Sequence, residues 1–254
     1  MIPIKDENPT RSFPIVTYAL MALNVVAFVW ESLFIRQAGK VAAISGYGLV
    51  PTRLLADPAG EAFTVFSSMF MHGDLLHLAG NMLFLYIFGD NVEDSLGKPR
   101  YVTFYLACGA LAAMAQLLTG LDSPIAMVGA SGAISGVLGA YIVMFPRAPI
   151  LMFNFSIPPL WLFFGPFMTF PAWLVIGIWF IVIQNLLPVL SAMAWTSNTA
   201  FFAHIGGFVA GLLLVRPFLA GRSRRKSFQW AGWRPPPKRA RVISQARYDA
   251  WRDH

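Results

Sequence analysis

Ser131 sits in a glycine-rich stretch, Gly129-Ala130-Ser131-Gly132-Ala133-Ile134-Ser135-Gly136, which opens an apolar run that stops at Phe145-Pro146-Arg147. His204 sits in a second run of small residues, with Ala203, Gly207 and Gly211 spaced four apart. A serine hydroxyl is a weak nucleophile until a base takes its proton, and neutral histidine is the usual base. The pair supplies the parts of an acyl-transfer site. A third run, Leu75–Gly89, carries His77 and Asn81 four residues apart on one helical face. Their N–H groups, with backbone amides left open by Gly129 and Gly132, suit a tetrahedral oxyanion. Asp74 precedes that run, and Asp90, Glu93 and Asp94 follow it, so no carboxylate falls at the level of His204. A Ser–His dyad is expected, with His204 oriented by packing.

Each feature also has a plainer reading. Small residues four apart let helix backbones approach closely in lipid, so the serine run can be a packing seam. His77 and Asn81 can hydrogen-bond a neighbouring helix, and His72 can belong to a helix entry. Zinc on His72, His77 and His204 is disfavoured, because no His-Glu-x-x-His motif or carboxylate–histidine cluster is present. The absence of paired mid-span aspartates argues against an aspartyl site. What favours chemistry is depth. At a rise of ~1.5 Å per residue, counted from the cytoplasmic ends of their runs, Ser131 lies ~21 Å, His77 ~20 Å, His204 ~17 Å and Asn81 ~14 Å up. Polar groups inside a membrane are costly and face a partner or a wet cavity.

The elements that must position these residues are membrane spans. Of 254 residues, 57% are hydrophobic and 12% charged, about half the charged share of a soluble domain. The pattern reads as an all-α membrane protein with six spans: Phe13–Phe34, Leu75–Gly89, Tyr101–Leu118, the serine run, Pro171–Leu187 and Ala200–Val215. Met1–Arg11 is a short polar segment, and the N-terminal run is too long for a cleavable signal. Residues 35–63 form a long amphipathic loop at the interface. Asp74 is an N-cap for the second span. Residues 150–170 are apolar, but Pro158, Pro159, Gly165 and Pro166 break any span there, and a membrane-hugging loop is expected. Cys108 reads as a small buried apolar residue.

Charge sets the orientation. Sixteen of the 19 lysines and arginines fall on the side of both termini, eleven of them from Arg216 onward; the other three, Arg36, Lys40 and Arg53, lie in the first loop. Both termini are therefore expected in the cytoplasm. The net charge of +7 is concentrated in the tail beside a span. Two readings fit that tail: a solvated segment that fixes topology, or a contact with anionic lipid. Nucleic acid is not an expected partner.

At Gly129-Ala130-Ser131-Gly132, at Ala203-His204-Ile205-Gly206-Gly207, and at His72 followed by His77-Leu78-Ala79-Gly80-Asn81, the chain resembles the rhomboid family of intramembrane serine proteases. The resemblance covers all six spans and implies a six-helix bundle around a water-filled cavity. It implies Ser131 as nucleophile, His204 as base, and an oxyanion site of His77, Asn81 and the Ser131 amide. Supporting roles fall to His72 in the polar network, to Gly129 beside the peptide, and to Gly132, Gly207 and Gly211 at the contact between spans four and six. Glu93 matches a position that steadies the turn after span two. The implied substrates are transmembrane segments entering between spans two and five, with no metal or cofactor. The expected organisation is a cytoplasmic segment 1–12, a rhomboid domain 13–216 and a basic cytoplasmic tail 217–254, in a bacterial plasma membrane. A non-catalytic rhomboid-like protein that binds and routes membrane helices is the alternative, and a transporter would want an inverted repeat that is not seen. Two positions depart from the family pattern. Ser135 stands where some members stack an aromatic on the base, so His204 must be held otherwise. Phe63-Thr64 stands where the family has a Trp-Arg pair.

Overall fold

A computed structural model describes residues 1–38, 44, 46–155, 165–190 and 200–221. The main helices are α1 (Ile15–Ala38), α2 (Leu75–Leu96), α3 (Lys98–Leu117), α4 (Ser131–Met144), α5 (Trp173–Leu186) and α6 (Phe201–Leu219). Among the described residues, only Ile15–Leu33 of α1 and Phe201–Leu219 of α6 combine the length and apolar composition of a full membrane span. Helix α4 is 14 residues long, shorter than the ~20 that cross a bilayer. It starts at Ser131 itself, so the serine sits at a helix N-terminus and not part-way along a span.

Side chains and glycine close the helix ends. Asp74 Oδ1 accepts from the His77 amide at 2.8 Å, the expected N-cap of α2. At the other end, Gly97 takes φ 79°, and Pro99 occupies the first turn of α3, where its missing N–H costs nothing. Arg100 donates to the carbonyls of Phe218 and Ala220 at 2.9 and 2.8 Å, closing the C-terminus of α6. That helix therefore runs past the expected boundary at residue 216. The tail beyond residue 221, including its basic residues, lies outside the described residues.

Helix α6 packs most extensively on α4 and α3. A Cβ on Gly207 would run into the carbonyl oxygen of Gly132, and one on Gly211 into that of Gly136. The two backbones thus touch directly, as small residues four apart permit in lipid. On the other face of α4, a Cβ on Gly136 would strike Cys108, which is fully buried. Below this seam the core is aromatic: Phe88, Tyr101, Phe104, Tyr105 and Tyr141 are inaccessible. Many large apolar residues point outward instead, among them Val26, Val29 and Leu33 of α1 and Leu213 of α6, as a lipid-facing surface requires.

Residues 150–170 correct an expectation. The two ends of the expected membrane-hugging loop are strands: β2 (Pro149–Phe153) and β3 (Phe167–Pro171) pair antiparallel with Pro149 opposite Pro171, and residues 156–164 lie outside the described residues. Strand β1 (Ile2–Asp6), from the segment expected to be merely polar, adds to β2 with Ile2 opposite Phe153 and a register shift between Pro3 and Lys5. Strand pairing satisfies the backbone that proline prevents a helix from satisfying. Alternation along β2 sends Ile150 and Met152 into the core. In the first loop, residues 39–43 and 45 lie outside the described residues; beyond them Pro51–Ala56 and Pro58–Glu61 are short helices.

Candidate active site

Ser131 Oγ and His204 Nε2 are 2.8 Å apart. The structure therefore brings together two side chains 73 positions apart in the chain. Ser131 is the first residue of α4; the leading amides of a helix have no intrahelical acceptor, so N–H groups point out around the hydroxyl. His204 sits in the first turn of α6. That turn is held by Gln116 of α3, whose Oε1 accepts from the Ala203 amide at 3.1 Å.

Gly129 precedes the serine with φ 125°, a backbone conformation that L side chains rarely adopt. Its amide donates to the Ser68 carbonyl at 2.9 Å. A Cβ there would lie 2.8 Å from the His77 ring, so glycine is what allows that imidazole to stand beside Ser131. His72 Nδ1 lies 3.2 Å from the Phe70 carbonyl, which can only accept, so Nδ1 carries the proton. Nε2 then accepts from Asn81 Nδ2 at 2.9 Å. The His72 and His77 rings meet edge to face with centroids 5.1 Å apart, and the His72 amide donates to Glu31 at 3.2 Å. His72 thus orients Asn81, and His77 and Asn81 of α2 reach the same hollow as Ser131.

That hollow is a cavity of about 920 Å³ whose lining includes His77, Asn81, Gln116, Ser131, Phe180 and His204. Gly132 lies one residue deeper, its Cα face against Ala112 and Ala203. Gly207 and Gly211 lie along the seam already described. Glu93 is remote from the cavity. It accepts from the Val16 and Thr17 amides at 3.1 and 2.8 Å and from the Thr17 hydroxyl at 2.8 Å, which ties α2 to the start of α1. No cluster of three potential metal ligands occurs among the described residues.

His204 is not held by packing alone, which corrects the expectation that packing orients its ring. Asn185 Oδ1 lies 2.7 Å from His204 Nδ1. The Phe180 ring stands alongside, with centroids 6.3 Å apart and planes at 37°. Both come from α5, which is wound as a π-helix and not as the expected α-helix. Ser135, at the position where some family members stack an aromatic, instead donates to the Ser131 carbonyl at 2.8 Å. Sequence reasoning misses Asn185, Phe180 and Gln116. A signal for Asn185 exists all the same: it is a polar residue inside an apolar run.

Comparison with known proteins decides the family, since the Rhomboid domain matches residues 59–221. The chain belongs to the rhomboid family. This rhomboid is therefore an integral membrane protein built as a helical bundle. It is similar to mitochondrial Rhomboid protein 1 of Saccharomyces cerevisiae, 29% identical over 77% of this chain and 51% of the yeast protein. It is also similar to two Bacillus subtilis proteins. One is the putative rhomboid protease YdcA, 30% identical over 53% of this chain and 64% of that protein. The other is the rhomboid protease GluP, 31% identical over 51% of this chain and 24% of that protein. The chain thus spans about half the length of the yeast relative and less than two thirds of either bacterial one.

Proposed function

We propose that this rhomboid is an intramembrane serine endopeptidase that cleaves transmembrane segments of other membrane proteins. The observation that carries the proposal is the 2.8 Å approach of His204 Nε2 to Ser131 Oγ inside a cavity that also holds His77 and Asn81. Ser131 Oγ attacks the scissile carbonyl carbon while its proton passes to His204 Nε2. The oxyanion is met by the Ser131 amide, His77 and Asn81, donors placed before the charge develops. Collapse of the tetrahedral intermediate breaks the C–N bond, and the leaving amine takes the proton from His204. Water, deprotonated by the same imidazole, then releases the acyl group from Ser131.

His72, Gly129 and Gly132 support this site by position, Gly207 and Gly211 by holding α6 against α4, and Glu93 by fixing the distant end of α2. The proposed architecture is a six-span domain over residues 13–216 between a cytoplasmic segment and a basic cytoplasmic tail. The distribution of lysine and arginine supports that orientation. The proposed setting is a bacterial plasma membrane, two of the relatives being from Bacillus subtilis and one being mitochondrial, and anionic lipid is the surface proposed for the basic tail.

The test is cleavage of a transmembrane reporter by purified protein in proteoliposomes. The parent releases the product, and Ser131→Ala and His204→Ala each abolish it. A Ser131→Ala variant that still cleaves would end the protease reading, and a parent that binds the reporter without cutting it would favour a non-catalytic rhomboid-like protein.

A further inference from the structure

We infer that Asn185 is the positioning residue of the base: it fixes the His204 tautomer and completes a Ser131–His204–Asn185 hydrogen-bonded chain across three helices. The inference rests on the protease reading above and extends it to a residue outside the motifs that carry the family resemblance.

The amide cannot be turned round. Asn185 Nδ2 donates to the Phe180 carbonyl at 2.8 Å, an acceptor five residues earlier on the same π-helix. Flipping the amide would set Oδ1 against that carbonyl, two acceptors face to face with no proton between them. Oδ1 therefore faces His204 Nδ1, which must carry the proton to bond at 2.7 Å. With Nδ1 protonated, Nε2 of the neutral ring presents its lone pair to the Ser131 hydroxyl. This is the tautomer a general base needs, and a neighbour that fixes the wrong one is severely damaging to a serine protease.

The choice of residue follows from the surroundings. Asn185 is 1% exposed. A carboxylate at the same place would hold the imidazolium more strongly but would itself be a buried charge whenever His204 is neutral. A neutral amide orients the ring without that cost. Phe180 contributes twice, through its carbonyl to Asn185 and through its ring beside His204.

The experiment compares the parent with Asn185→Leu, Asn185→Asp and His204→Gln, all full-length in proteoliposomes with thermal midpoints measured alongside. Asn185→Leu, close in size but without an acceptor, is expected to lower kcat by about 10- to 1000-fold with KM changed less than about threefold. Asn185→Asp retains the acceptor, recovers kcat to within about tenfold of the parent, and moves the acidic limb of the kcat/KM profile to higher pH, since a carboxylate favours imidazolium. The nitrogen-15 spectrum of His204, assigned by its loss in His204→Gln, reports the tautomer independently of turnover: protonated Nδ1 in the parent, a mixture in Asn185→Leu. An Asn185→Leu protein with parental kcat and unchanged nitrogen shifts overturns the inference. If no form of the protein cleaves, the protease reading fails by itself, and the nitrogen shifts alone decide whether Asn185 sets the tautomer.

Discussion

Glu93 Oε2 accepts both the amide and the hydroxyl of Thr17 at 2.8 Å, so a carboxylate on α2 closes the N-terminus of α1. The group is 1% exposed, and the helix it caps directs positive partial charge toward it. Glu93→Ala leaves two amides and a hydroxyl without an acceptor. It should cost about 3 kcal/mol or more, seen as a lower thermal midpoint in detergent. Glu93→Gln keeps one acceptor oxygen and should cost less. Equal midpoints for parent and Glu93→Ala would contradict the capping role.

The end of the bundle that carries the N-terminal strand has a pH response. Asp6 is buried where β1 meets the helices and accepts from Tyr141 OH at 2.7 Å and from Asn91 Nδ2 at 2.8 Å. Burial pushes its carboxyl up to about 7, with Asp90 adding in the same direction and Tyr141 and Lys5 opposing. The folded protein thus binds a proton that the unfolded chain, with an ordinary value of 3.8, gives up. Stability from this group is complete below about pH 4 and is lost as pH rises through about 7. Asp6→Asn should flatten that part of the profile and raise the thermal midpoint at pH 8 relative to the parent. A midpoint that falls at pH 8 in Asp6→Asn would contradict this assignment.

The seam between α4 and α6 should tolerate no added carbon. Gly207→Ala and Gly211→Ala each place a methyl against a carbonyl oxygen of α4, and rigid backbone can yield only by separating the helices. Each should destabilise by about 1–3 kcal/mol, and Gly207→Ala should also lower activity, because it lies three residues from His204. Gly80 of α2, with nothing within 4 Å of its Cβ position, is the control: Gly80→Ala should be neutral or mildly stabilising. Comparable losses at all three sites would remove the argument from close approach.

The site is legible in the sequence wherever the rule of costly polar groups in lipid applies. That rule selects Ser131, His204, His77 and Asn81, and the structure gathers all four around one cavity. The same rule reaches Asn185: fourteen positions after Pro171, it stands ~21 Å along at the rise of an α-helix, the level inferred for Ser131. Its neutrality hides it: a carboxylate is the expected partner of a histidine, whereas Asn185 meets His204 with an amide oxygen. The Asp74 cap is local chemistry and can be read directly. The sheet cannot. The apolar residues Pro149–Phe153 show no polar alternation, and their partner Ile2–Asp6 lies about 145 positions away, a separation that no local pattern reports. The π-winding of α5 leaves no mark in a periodicity read over 14 residues.

Fluorophosphonate labelling followed by peptide mass mapping bears most directly on Ser131 as a nucleophile activated by His204. The parent in detergent at about pH 7.5, where a histidine base is neutral, should gain a single adduct on Ser131, and His204→Ala should gain almost none. A parent that takes no adduct, or takes it on another serine, would contradict the account.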